Sequence, residues 1–106
     1  MNSQNPIVGG LYASRNASGQ YLIVKVLVAD SLSVHVRMYA ERFNSLPTAI
    51  KSSQLSLGSL STTGATGIGH VPLSREGFLH DERILLAQES ISEEELEGYR
   101  YWAGEE

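Results

Sequence analysis

Aromatic side chains in the first half of the chain have a spacing that suggests binding chemistry. Tyr12, Tyr21 and Tyr39 fall in three separate strand-like runs, and Phe43 follows the last of them. If neighbouring strands bring these rings to one surface, the patch would bind an apolar or cationic side chain. A cation over one ring face contributes about 0.5–2 kcal/mol. Half-buried packing in a sheet also explains the same tyrosines.

Polar side chains alternate with valines just before Tyr39. His35 and Arg37 occupy the same face of this run as Tyr39 and are expected to flank the aromatic patch as polar contacts. His35 is expected to be partly exposed. With an ordinary pKa of about 6.5, it would make its contact sensitive to pH.

A run of glutamates near the C-terminus has two possible roles, one structural and one in binding. Ser92 and Glu95 have the spacing of a capping box, in which each side chain bonds the backbone amide of the other residue. Glutamates in the first turn also favour the positive end of the helix dipole. The alternative is that Glu93, Glu94 and Glu97 form an acidic ridge that docks a basic partner and raises its association rate.

The residue types and motifs of the sequence give little support to an enzymatic function. His70, Ser74 and Asp81 supply the types needed for acyl transfer, but no G-x-S-x-G turn presents a nucleophile. A small hydrolase centred on His70 is therefore a minority alternative. The chain contains no cysteine, so thiolate zinc sites, iron–sulfur clusters and cysteine nucleophiles are excluded. We expect no catalytic residues, no metal and no cofactor.

Charge and hydropathy limit the classes of partner and the cellular location that we expect for this protein. The net charge is −4, with +2 in residues 1–50 and −6 in residues 51–106. An acidic domain lacks the field that attracts phosphates, so nucleic acid is not expected as a partner. The N-terminus lacks the apolar core of a secretory signal, and the longest apolar run, 21–29, is interrupted by Lys25 and is too short for a bilayer. We expect a cytoplasmic protein with no membrane contact, as a monomer or weak homodimer.

Hydrophobic periodicity predicts three consecutive strands within residues 9–43. The run 20–28 is β-branched on both faces, so its strand should be central and covered on both sides. The run 32–40 alternates strictly and should pair with it through a turn at Asp30. The shorter run 10–14 completes a meander. Residues 44–69 are rich in Ser, Thr and Gly and are expected to be irregular.

The sequence pattern of the last third, residues 70–104, predicts a strand, a short turn containing Phe78, a second strand over 83–88, and a final helix. The run 83–88 fits a strand or a helix, and its length favours a strand. The helix should begin after Ser92, end at Gly104 and dock on the sheet through Leu96 and Tyr99. Together these elements predict a single α+β domain over residues 1–106, a bent antiparallel sheet with a C-terminal helix packed on it.

The stretch from Gly10-Leu-Tyr-Ala through Gly19-Gln-Tyr-Leu-Ile-Val-Lys-Val-Leu to Val34-His-Val-Arg-Met-Tyr resembles the opening strands of Tudor and other SH3-like small β-barrels, over about residues 9–43. The resemblance implies an SH3-like meander or small, partly open barrel. It also places Tyr12, Tyr21 and Tyr39 near the positions where such modules bind methylated basic side chains or peptides. Ala40-Glu41-Arg42-Phe43 departs from the usual Asp-Tyr-Gly-Asn-like ending.

Two non-catalytic functions follow. The first is a protein-interaction module that binds a protein or peptide through the aromatic face of the sheet. The second is an acidic inhibitory partner of a toxin or enzyme, since the size and charge of the chain are loosely similar to those of bacterial immunity proteins.

Overall fold

The computed structural model describes residues 6–57, 67–80 and 82–104. Five strands and two α-helices make up these residues, with one 3₁₀ turn at Ser52–Gln54. The strands are β1 (Gly10–Arg15), β2 (Tyr21–Ala29), β3 (Ser33–Phe43), β4 (Ile68–Ser74) and β5 (Arg83–Gln88). The helices are α1 (Arg75–His80) and α2 (Glu93–Ala103).

All five strands join one antiparallel sheet in the order β4-β3-β2-β1-β5. The first three strands form a meander, and β2 lies at its centre. The turn between β2 and β3 depends on Asp30, whose carboxylate accepts hydrogen bonds from the amides of Leu32 and Ser33 at 2.9 and 2.7 Å. A carboxylate that bonds the backbone in this way fixes a tight turn.

The sheet is bent and does not close. Register shifts interrupt the pairing of β1 with β5, of β2 with β3 and of β3 with β4. Such bulges bend a strand and increase its local twist. Because β4 and β5 lie at opposite ends of the strand order, the sheet keeps two edges rather than forming a closed barrel.

Each face of the sheet carries its own apolar core. On one face, the first core, Tyr12, Val24, Val26 and Val36 pack with Phe78 from α1. On the other face, the second core consists of Leu11, Ala13, Ile23 and Tyr39, against which Leu55 and Leu57 pack. The β-branched composition of β2 on both faces therefore corresponds to a strand covered on both sides, as its pattern predicts.

Helix α2 begins and ends at the residues that its sequence predicts. The Ser92 hydroxyl accepts from the amide of Glu95 at 3.2 Å, and Glu95 Oε1 accepts from the amide of Ser92 at 2.8 Å. Gly104 closes the helix in the left-handed conformation at φ 78°, where a residue without a Cβ is favoured. The helix packs on the sheet at β4, where Gly98 lies against His70.

The segment between β3 and β4 is irregular where it is described, apart from the 3₁₀ turn, and residues 58–66 lie outside the described part of the chain. The run 83–88, ambiguous in the sequence, is strand β5 at the edge beside β1. Within the described ranges, no helix combines the length and apolar character needed to cross a membrane.

Candidate functional site

An open cleft of about 650 Å³ lies on the face of the sheet that carries Tyr39. Its floor comes from β2 and β3, one wall from the 3₁₀ turn and residues 55–57, and the other from residues 89–95. The polar side chains that line it include Lys25, Arg37, Tyr39, Ser52, Glu89, Glu94 and Glu95. We call this space the charged cleft.

Lys25 projects from the centre of β2 into the floor of the cleft and is 2% exposed. Its ammonium group lies 3.2 and 3.0 Å from the two carboxylate oxygens of Glu95. It also donates to the carbonyl oxygen of Ser90 at 2.8 Å and reaches Glu89 at 3.4 Å. A buried charge is tolerated when it is paired and hydrogen-bonded, and Lys25 meets both conditions.

The two carboxylates that neutralise Lys25 stay ionised although they are partly buried. Burial opposes ionisation of Glu95, but the amide of Ser92 and the ammonium of Lys25 outweigh it and lower the pKa of Glu95. For Glu89, burial is likewise outweighed by the hydroxyl and amide of Ser52 and by Lys25, so its pKa is also lowered. Both groups are therefore anions at neutral pH.

Arg37 differs from Lys25 in how its charge is used. Its guanidinium lies 3.9 Å from Glu95 Oε2, which is too long for a hydrogen bond, and its side chain is 18% exposed. Among the described residues, Glu95 is the one acidic residue that pairs with Arg37. Its donors thus remain available in the cleft. Beside it, burial and then the Glu95 charge raise the pKa of Tyr39 to about 12, so the phenol stays protonated.

The structure does not bring the predicted tyrosines to one surface. Tyr12 is buried in the first core and meets Phe78 edge to face at a centroid distance of 5.3 Å. Tyr39 is buried on the opposite face, where Tyr21 and Phe43 pack at the margin of the second core. The strand register explains the separation. Tyr12 pairs with Val24, which belongs to the face opposite Tyr21. The expectation of a shared aromatic patch is therefore wrong.

His35 is fully buried, contrary to the expected surface contact. Its Nε2 lies 3.0 Å from the Ser33 hydroxyl and its Nδ1 lies 2.9 Å from His70 Nε2. Tyr99 and Trp102 of α2 meet its ring edge to face, with centroids 4.7 and 4.6 Å away. The helix therefore covers the histidine that strand alternation alone had suggested to be accessible.

The three glutamates of the predicted acidic ridge differ in their contacts. Glu93, Glu94 and Glu97 are exposed on α2, and Glu93 forms an ion pair with Arg100 on the same helix. Glu94 also lines the charged cleft. Tyr101 is exposed on the same helix, with 76% of its surface accessible.

The residues weighed for acyl transfer have other partners. His70 is hydrogen-bonded to His35, the Ser74 hydroxyl accepts from the amide of Gly77, and Asp81 lies outside the described residues. In the portions of the chain that the structure describes, no three His, Asp or Glu side chains are grouped closely enough to hold a metal ion.

Sequence reasoning missed the central place of Lys25 and of its partner Glu89. A signal for Lys25 was present, because it is the one charged residue in a nine-residue strand expected to be covered on both faces. A lysine in that position requires carboxylates from elsewhere, and the second half of the chain is rich in them. Which carboxylates reach it depends on how α2 docks, and this has no local signature.

Comparisons of the chain with models of known families, with curated proteins and with solved structures found no match.

Proposed function

We propose that this protein is a non-catalytic interaction module that binds a peptide segment of a partner protein in the charged cleft. The observation that carries the proposal is the state of Arg37, a guanidinium in an open cleft whose ion pair with Glu95, its one such pair within the described ranges, spans 3.9 Å. Lys25 is already neutralised by two carboxylates, whereas Arg37 keeps donors for a ligand. Among the predicted binding residues, Arg37 and Tyr39 both line this cleft.

The lining of the cleft indicates the chemistry of the segment. Arg37 favours a carboxylate, because a guanidinium and a carboxylate form charge-assisted, often bidentate hydrogen bonds. Glu94 on the opposite wall is exposed and suits a basic side chain. The cleft lies within the volume range of small-molecule sites, but such sites are mostly apolar. A short peptide with an acidic residue and a nearby basic residue fits this lining better than an apolar small molecule.

The test is selection from a library of displayed random peptides, followed by measurement of Kd for the selected sequences. Arg37→Gln should weaken binding at least tenfold, because it removes a charge-assisted contact worth about 1.5–3 kcal/mol. Arg15→Gln is the matched control, since Arg15 is exposed and lies over the Tyr21 ring, away from the cleft lining. Amide chemical shifts should move at residues 37–39 and 52–57 when the peptide binds.

Equal affinity of the wild type and Arg37→Gln would contradict the proposal, as would chemical-shift changes confined to residues outside the cleft. Chemical-shift changes located on α2 would instead favour the second candidate, an acidic inhibitory partner of a toxin or enzyme. That candidate is supported by Glu97 and Tyr101, which are both exposed and lie four residues apart on α2. Tyrosine is enriched among residues that dominate binding energy, and adjacent glutamates would attract a basic protein. Shift changes on α2 alone, with strong salt dependence, would identify it.

A further inference from the structure

A chain of hydrogen bonds connects the β2–β3 turn to the underside of α2. The Ser33 hydroxyl bonds both carboxylate oxygens of Asp30 at 3.1 Å and lies 3.0 Å from His35 Nε2. His35 Nδ1 lies in turn 2.9 Å from His70 Nε2. Four side chains from the turn, β3 and β4 are thus linked beneath one helix.

The charge of Asp30 determines which group donates and which accepts in each of these hydrogen bonds. An ionised carboxylate only accepts hydrogen bonds, so the Ser33 hydroxyl donates to Asp30 and accepts from the Nε2–H of His35. The Nδ1 atom of His35 then carries a lone pair and accepts from the Nε2–H of His70. This arrangement requires His35 to be neutral. One added proton can be shared between His35 Nδ1 and His70 Nε2, but when both rings are protonated two N–H groups face each other across 2.9 Å.

The second half of α2 rests on this pair. Tyr99 and Trp102 contact the His35 ring, and both rings also lie within about 6.1 Å of His70. Gly98 lies so close that an added Cβ would be 2.7 Å from the Cβ of His70. The first turn of α2 is held differently, through the ion pair of Glu95 with Lys25.

We propose that the His35–His70 pair is an acid-sensitive latch that holds the second half of α2, Gly98 to Ala103, on the sheet at neutral pH and releases it when both imidazoles are protonated. In the doubly protonated state, the hydrogen bond between the rings is replaced by contact between two cations. His35 has no exposed surface through which water could relieve that repulsion while the helix remains docked. Release of the helix supplies the missing solvation. The proposal does not depend on a ligand in the charged cleft.

The groups facing the pair support release in acid. Asp30 opposes the effect, because its charge favours protonation of His35, but it acts through Ser33 and is outweighed by burial, which lowers the pKa of His35. Burial and then His35 lower the pKa of His70. On β3, Arg37 lies two residues from His35 and therefore adds a positive charge on the same face of the strand.

From α2, the groups are the neutral rings of Tyr99 and Trp102 and the charged Glu95 and Arg100. Glu95 is bound by Lys25, and Arg100 is paired with Glu93. Across β4, Ile68–Ser74, His70 is the sole titratable residue. No described carboxylate therefore contacts the two imidazoles directly.

The experiment follows backbone amide and imidazole resonances from pH 8 to 5 in the wild type, His70→Gln and His80→Gln. Glutamine at position 70 stays neutral and still offers an amide N–H to His35. His80 is the third histidine of the chain and is exposed on α1, so it is the matched control. In the wild type and in His80→Gln, the amides of residues 99–103 should move towards random-coil positions as pH falls below 6.5. The amides of β1–β3 and of the first turn of α2 should keep their positions, and His70→Gln should keep the whole helix docked.

Three results would overturn the proposal: a helix that stays docked in the wild type at pH 5 with both imidazoles charged, release at the same pH in His70→Gln, or loss of the sheet or the first turn together with residues 99–103. If His70→Gln does not fold, the wild type decides alone. Its two imidazoles must become charged over the same pH interval in which residues 99–103 are released, and separate intervals would refute the latch.

Discussion

Lys25 is the residue on which the charged face of the sheet depends. Its ammonium is buried at the centre of the middle strand and receives contacts from two carboxylates and one carbonyl. Bringing an ammonium group out of water costs several kcal/mol, which is offset only while these partners are in place. The pairing therefore links the sheet to α2 and fixes where the helix begins on that face.

Replacing Glu95 by glutamine isolates this interaction. Glutamine at the same position still completes the capping box, so the substitution removes the charge and preserves the helix start. We expect Glu95→Gln to lower the free energy of unfolding by roughly 2–4 kcal/mol, because Glu89 is then the one counter-ion left to the buried ammonium in the described part of the chain. Urea denaturation followed by far-UV circular dichroism measures the change.

Glu94→Gln is the matched control, since Glu94 lies one residue earlier and is exposed. Its effect should stay within about 0.5 kcal/mol, the usual range for surface substitutions. Equal stability of the two variants would show that the pair between Lys25 and Glu95 contributes nothing to folding.

The outcome for the tyrosines shows what residue patterns can and cannot predict. Alternation along β3 correctly separates Val34 and Val36 from His35 and Tyr39, because successive side chains of a strand point to opposite faces. It does not relate the faces of different strands. That relation depends on register, since a shift of one residue exchanges the two faces. The short run of β1 contains no alternation that would have placed Tyr12.

At the scale of elements, α2 combines a start that is local with a docking position that is not. Ser92 and Glu95 determine the first turn within four residues, so the sequence was sufficient to predict it. Docking depends on Gly98, where the helix approaches β4 closely enough that a Cβ would collide with His70. Helical periodicity contains no signal for that contact, because His70 lies on a separate strand.

Gly98→Ala therefore sets helix propensity against packing. Alanine is favoured over glycine inside a helix by about 0.8–1 kcal/mol, but its methyl group would lie 2.7 Å from the Cβ of His70. We expect a net loss of up to about 2 kcal/mol in the free energy of unfolding, because overpacking at a close contact costs about 1–3 kcal/mol. Thermal or urea denaturation gives the sign directly.

Glu97→Ala serves as the comparison, being an exposed neighbour on the same helix. It should leave stability nearly unchanged. A gain in stability for Gly98→Ala would mean that the helix does not press against β4 at this point.

For the whole molecule, the fold class was predictable and the sheet order was not. Strand and helix patterns with a capping box are enough for an α+β sheet with a terminal helix. The placement of β5 beside β1, at the opposite end of the sheet from β4, joins distant parts of the chain. Such pairings leave no mark in the local pattern of β5, whose Ile84 and Leu85 are both half-exposed. The cleft was unpredictable for the same reason, since its walls come from separate segments.

The stability of the whole molecule should fall in acid in two stages. Burial lowers the pKa of His35 and His70 below the ordinary 6.5, so below that pH the unfolded chain binds protons that the folded chain does not. The free energy of unfolding then decreases as pH falls. Glu89 and Glu95, whose pKa values are lowered from 4.5, contribute stability that is lost as pH falls further through their folded values.

Urea unfolding at pH 7.5, 5.5 and 4 measures both stages. We expect a lower free energy of unfolding at each step, and His80→Gln should show the same profile as the wild type. A free energy that is constant from pH 7.5 to 5.5 would show that the two buried imidazoles cost nothing on protonation.

The buried ammonium of Lys25 also affects how the chain matures during translation. It leaves the ribosome 64 residues ahead of Glu89 and 70 residues ahead of Glu95. Because the segment that carries these carboxylates also forms a wall of the cleft over Lys25, the ammonium remains in water until that segment emerges. The charged face of the sheet can therefore be completed only after residues 89–95 have been synthesised.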